Sequence, residues 1–241
     1  MQNSMKQEPC DFKSWEVQIG NVLPQDYYGL IVILGVILGV MGAFYNWFTL
    51  YVQSLYKKIP KIGTFGKLLI PFIMAGILGI VMPDVLGSGH NLVEELTSHE
   101  YIFGMVVLIF VIRFIFSAVS FGSGAPGGIF FPLLVLGAFI GGIFGMVGVK
   151  VFGMNPDYVN NFVLLAMAGY FTAIVRAPLT GIILIFEMTG SVSQMLSLSV
   201  ISIVAYIVAT LMKSKPIYES LLERLLEKME NLYIRRGAKR Y

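Results

Sequence analysis

Apolar residues along this chain fall into seven runs, 27–54, 68–82, 101–119, 128–152, 159–175, 178–188 and 192–212, parted by short breaks rich in glycine, proline and polar residues. A helix needs about 20 residues to cross a bilayer core roughly 30 Å thick. Runs 27–54 and 192–212 meet that length, whereas 178–188 is too short to span alone. Two further segments are amphipathic. Residues 91–98 read as a short helix, and 217–234 carries Leu221, Leu222, Leu225, Leu226 and Met229 on one side. Small residues recur at helical spacing inside the runs: Gly35 and Gly39 followed by Gly42 and Ala43, Gly76 and Gly79, and Gly137, Gly141 and Gly145. Such stripes predict faces on which helix backbones approach closely. Segments of unequal length between Gly/Pro breaks predict tilted and half-spanning helices that meet at an internal site.

The break at Ser120–Pro132 organises the chain. It lies between two apolar runs yet holds four glycines, two prolines and two serines. Irregular backbone is tolerated at membrane depth only inside protein or beside an aqueous cavity, because hydrocarbon leaves N–H and C=O groups unpaired. Gly127 and Gly128 lead into an apolar helix whose first N–H groups, at Gly128, Ile129, Phe130 and Phe131, have no partner within it. These groups sit at the positive end of the helix dipole, worth about half a charge. Together they form a ready anion site.

Composition places the whole chain in a membrane. Of its 241 residues 56% are hydrophobic and only 13% charged, with a mean hydropathy of +0.78, against roughly 25% charged in soluble domains. The net charge of +3 is small, with Lys and Arg clustered at 57–67 and after 213, so no basic face for nucleic acid is expected. Cys10 is the only cysteine, which leaves no disulfide framework and no metal-type Cys/His cluster. The positive-inside rule puts the 57–67 loop and the tail Arg235–Arg240 in the cytoplasm. Run 27–54 then passes from outside to inside, and the polar segment 1–25, which has no signal-peptide core, is expected outside as the continuation of a longer membrane protein.

Three ordered blocks resemble the CLC family of chloride channels and chloride/proton antiporters. Gly122–Pro132 is similar to its GxFxP-type signature, Arg176–Thr189 to a second long block, and Lys215–Arg224 to the last membrane helix, which carries an anion-binding tyrosine. Gly87–Asn91 is similar to this half's counterpart of the GSGxP loop. The likeness runs from about residue 26 to 232 and covers the second half of a protomer. It implies an all-α integral membrane fold, the second inverted repeat of the CLC architecture with tilted, half-spanning and broken helices plus a C-terminal helix. Residues 1–25 would be a polar N-terminal segment or linker, 26–232 the membrane domain and 233–241 a basic cytoplasmic tail.

The resemblance further implies that the backbone N–H groups of Ile129 and Phe130 and the hydroxyl of Tyr218 bind the central anion, framed by the loop residues Gly124, Pro126, Gly127, Gly128 and Pro132. The expected ligand is a bound chloride ion, with no other cofactor, no metal and no enzymatic activity. The expected partners are the lipid bilayer, an N-terminal CLC half and a second copy in a homodimer formed through 178–188 and 192–211, with a plasma-membrane, multi-pass location. The family's serine anion ligand, gating glutamate and proton-transfer glutamate are expected upstream of residue 1, so channel and antiporter are not separated here. Retention of Tyr218 argues against fluoride selectivity, and nitrate versus chloride stays open. Arg113 and Arg176 read as structural, at a span end or bonded to carbonyls, with Glu187 as a partner for one of them or a helix cap, and His90 and His99 as solvated. Two rival readings are an inactive or regulatory half-protomer and, far behind, an intramembrane serine protease built on Ser123.

Overall fold

The computed structural model describes residues 23–58, 64–86, 89–97, 102–124, 128–190 and 192–237. Among these there are nine α-helices and no strand: α1 (Tyr28–Lys57), α2 (Thr64–Val81), α3 (His90–Thr97), α4 (Phe103–Gly122), α5 (Phe130–Phe152), α6 (Val159–Val175), α7 (Pro178–Thr189), α8 (Met195–Leu211) and α9 (Ile217–Gly237). Each follows a segment marked by the apolar pattern, displaced mainly at polar ends. α1 continues past residue 54 to Lys57, because Val52 and Tyr56 are still buried in its last turns and Lys57 suits the negative end of the dipole. Its 30 residues span about 45 Å at 1.5 Å per residue, more than the hydrocarbon core requires, so a tilt is needed. α7, with 12 residues, is a half-spanning helix of about 18 Å.

Helix α6 is the centre. All of it except Asn160 and Val175 is buried, with α5, α1, α8 and α7 packed around it. α4 packs outside α1 and α5, α3 lies on α5, and α9 leaves from the end of α8. The glycine stripes explain why these helices come so close. A Cβ added at Gly137 would sit 2.8 Å from the Ala166 carbonyl oxygen and 2.9 Å from Met167 Cα, and one at Gly141 would sit 2.7 Å from Ala166 Cβ. Gly145 meets Val159 in the same way, at 2.9 Å from Cγ1. On α1, Gly35 and Gly39 receive Val204 and Val208 of α8, and Gly42 receives Ala173 of α6. The remaining faces of α1, α2 and α4 expose residues such as Ile33, Val36, Phe72, Ile80 and Leu108, as helices surrounded by hydrocarbon do.

A few polar contacts tie the bundle at one end. Arg224 of α9 donates from Nη1 to the Leu50 carbonyl at 2.9 Å and to Gln53 Oε1 at 2.7 Å on α1. The C-terminal ends of α1 and α8 and the start of α9 therefore share one side, which brings Lys57 and Lys58 to the same side as Lys213 and Lys215, as the positive-inside reading requires. The Tyr45 hydroxyl pairs with Ser117 Oγ at 2.7 Å, joining α1 to α4.

Gly141→Val is expected to force α5 off α6. Overpacking of this kind costs roughly 1–3 kcal/mol, and a drop in the thermal midpoint of the detergent-solubilised protein, absent for Gly76→Val where the added Cβ meets open space, would show it.

Candidate functional site

The α4–α5 break is where the sequence placed the site. α4 ends at Gly122, with Ser123 N–H bonded to the Val119 carbonyl and Gly124 N–H to that of Phe121. Gly124 has φ +79°, the left-handed conformation that glycine adopts without a Cβ penalty. α5 starts at Phe130 with Ile129 as its N-cap. Ile129 is 2% exposed and anchors the start of the helix in the core. The first backbone bond runs from Leu133 N–H to the Ile129 carbonyl, 3.2 Å, and Pro132 has no N–H to donate. Among the described residues nothing accepts from the N–H groups of Ile129, Phe130 or Phe131. Gly124 and Gly128 both face open space where a Cβ would stand. The geometry is that of a bare positive helix end beside an opening. Pro126 and Gly127 lie outside the described residues.

Phe130 is aligned by packing. Its ring meets Phe131 at 5.3 Å and Phe171 of α6 at 5.4 Å, both edge-on, a favourable arrangement for aromatic pairs. α6 also packs against α9, so one buried helix supports both parts of the expected site. On α9, Ile217 is fully buried and fixes the first turn, while the neighbouring Tyr218 is 51% exposed, with no hydrogen bond from its hydroxyl among the described residues.

What holds the α8–α9 connection was only partly visible in the sequence. Arg176 caps α6 with φ +67°. Its guanidinium donates to the Tyr206 carbonyl at 2.8 Å, to Thr210 Oγ1 and to the Ser214 carbonyl at 2.7 Å. Asn46 of α1 donates from Nδ2 to the carbonyls of Ile174 and Lys215 at 3.3 and 3.1 Å, and to Ser214 Oγ at 3.3 Å. α8 closes with Ser214 N–H on the Ala209 carbonyl and Lys213 N–H on that of Thr210, with Lys213 at φ +55°, a Schellman-type end with a lysine where glycine is usual. Arg176 is thus bonded to carbonyls, as expected for a structural arginine. Arg113 is 4% exposed within α4. Its guanidinium lies against Gly89, where a Cβ would stand 2.9 Å from Nη2 and φ is +85°, so it supports the turn into α3. Glu187 departs from the first of its two expected roles: it is exposed on α7 and forms an ion pair with neither arginine among the described residues. Ser123 Oγ donates to the Ser120 carbonyl at 2.7 Å, a local helix-end bond rather than a nucleophile–base contact. The His90 ring and His99 lie outside the described residues. Asn46 gave no signal in the sequence, since nothing there places an asparagine of α1 beside residue 214.

With this geometry in place, the comparisons decide the family. The model of the voltage-gated chloride channel family matches residues 3–210. The chain belongs to the CLC family. A slow cyanobacterial Cl−/H+ antiporter is 32% identical, with a TM-score of 0.78, over 86% of this chain and 49% of that one. A eukaryotic CLC transporter is 23% identical (TM-score 0.70; 83% of this chain, 35% of that one), and a CLC-type fluoride/proton antiporter 17% (TM-score 0.65; 79% and 46%). The last two bear on the fold alone. The CLC chain described here spans about half the length of these solved relatives or less. Five helices among the described residues are long and apolar enough to cross a membrane, and with the family they make it a multi-pass membrane protein.

Arg176→Ala should lose several charge-assisted bonds and keep the left-handed backbone strain, whereas Arg176→Gly loses the same bonds without that strain. The alanine variant is expected to be the less stable by about 1 kcal/mol, and both should expose the bond after Lys213 to trypsin. Thermal melts and timed proteolysis check the order.

Proposed function

We propose that this chain is the second half of a CLC-type anion transporter, and that it binds chloride at the N-terminus of α5 through the N–H groups of Ile129 and Phe130 and the hydroxyl of Tyr218. The supporting observation is the helix break itself, which leaves those N–H groups without described partners beside open space. Partial charges suit the task. Chloride is large and weakly hydrated, and conduction requires binding weak enough to release; a lysine or arginine in that position would hold the ion longer. The half-exposed Tyr218 is available to an ion, and an N-terminal half would contribute the rest of the site.

The exposed apolar faces of α7 and α8, with Leu179, Ile183, Leu196 and Ile203, suit a homodimer in a plasma membrane. The same exposure of Tyr218 favours one competing reading, a half-protomer that inserts and binds nothing. Chloride titration of the purified chain by calorimetry separates the two. Tyr218→Phe removes a hydrogen bond to a charged group worth about 1.5–3 kcal/mol, so the dissociation constant should rise about tenfold to a hundredfold with the fold retained. Unchanged binding would reject the tyrosine's role, and absence of binding in the unmodified chain would favour the inactive reading.

A further inference from the structure

A second concave site lies beside the α8–α9 connection. It is a cavity of about 430 Å³ between α1 and residues 212–220, within the range of small-ligand pockets. One wall is apolar and aromatic: Phe44, Trp47 and Leu50 of α1 face Met212. Trp47 is 59% exposed and stacks between Phe44 at 5.8 Å and Tyr51 at 5.7 Å, as interfacial aromatic residues do. The other wall is polar. It is lined by Asn46, Ser214, Lys215 and Ser220.

Two lysines line the cavity. Lys215 is held by Glu223 at 2.7 Å. Lys213 forms no ion pair among the described residues, yet it occupies a left-handed position at φ +55° where glycine would avoid a penalty of roughly 1–2 kcal/mol. Arg176, the other non-glycine residue in that conformation among those described, uses its side chain to bond three groups. Lys213 has no such use among the described residues, and its exposed charge is available to a partner outside the chain. By the positive-inside rule the basic end of the bundle faces the anionic cytoplasmic leaflet.

We propose that this cavity binds an anionic phospholipid, with the acyl chain along Phe44, Trp47 and Leu50 and the headgroup at Lys213. Its lining includes no residue of α5, and its test does not involve chloride.

The chain has two tryptophans, Trp15 and Trp47, so Trp15→Phe leaves Trp47 as sole reporter. The 241-residue chain is reconstituted in bilayers with increasing brominated phosphatidylglycerol or brominated phosphatidylcholine, and Trp47 quenching is recorded. The expected result is a saturable component for phosphatidylglycerol, half-complete at about fivefold lower mole fraction than for phosphatidylcholine, since one lysine near an anionic surface contributes about that factor. Lys213→Gly should abolish the preference while easing the backbone, so its loss cannot be ascribed to unfolding. Equal quenching by the two lipids, as from non-selective boundary lipid, would overturn the proposal. So would absence of quenching, which would mean that polypeptide covers the cavity, or an unchanged preference in Lys213→Gly.

Discussion

The close contact of α5 with α6 is the constraint on which the rest depends. In a bilayer, burying apolar side chains away from lipid gains little, so helices associate through van der Waals contact and a few polar bonds. Here that contact is backbone against backbone, with Gly137 and Gly141 set against Ala166 and Met167. Any side chain at those positions would part the helices. The same contact fixes where α5 begins, since Ile129 is buried and Phe130 rests on Phe171. A helix N-terminus can act on an anion only if it is held still, and α6 holds it from behind.

The second requirement is the management of unpaired backbone groups. The chain breaks its helices repeatedly within an apolar environment, and each break leaves donors or acceptors to satisfy. At the α8–α9 connection the answer is internal: Arg176 and Asn46 take up the carbonyls of residues 174, 206, 214 and 215. At the α4–α5 break the donors of residues 129–131 find no such answer among the described residues. The two breaks thus differ in how their backbone groups are met: one by side chains of this chain, the other by nothing among the described residues. Pro132 sharpens this by removing one donor, so that the remaining ones are adjacent and point out of the helix end.

Much of this was legible in residue order. Helices follow from the apolar runs because a spanning helix must carry them, and the stripes at 35–39 and 137–145 announced close faces because only small residues permit that approach. The open helix end at 129–131 was equally visible, since glycine, proline and an abrupt apolar start are local features. Even the shared side of the two basic segments followed from a rule about charge and leaflet.

Which faces met, and what closed each end, were settled only in three dimensions. Nothing local says that Gly42 lies on Ala173, that Asn46 reaches Lys215, or that Glu187 stays unpaired by Arg176 while carbonyls take that guanidinium. Nor does it reveal the left-handed backbone of Lys213 or the cavity beside it. The physical reason is one of range. Hydropathy, glycine spacing and helix termini are properties of a few consecutive residues, and the sequence alone determined those. A hydrogen bond between residues 169 positions apart depends on how the whole bundle packs, and only the tertiary structure decided it.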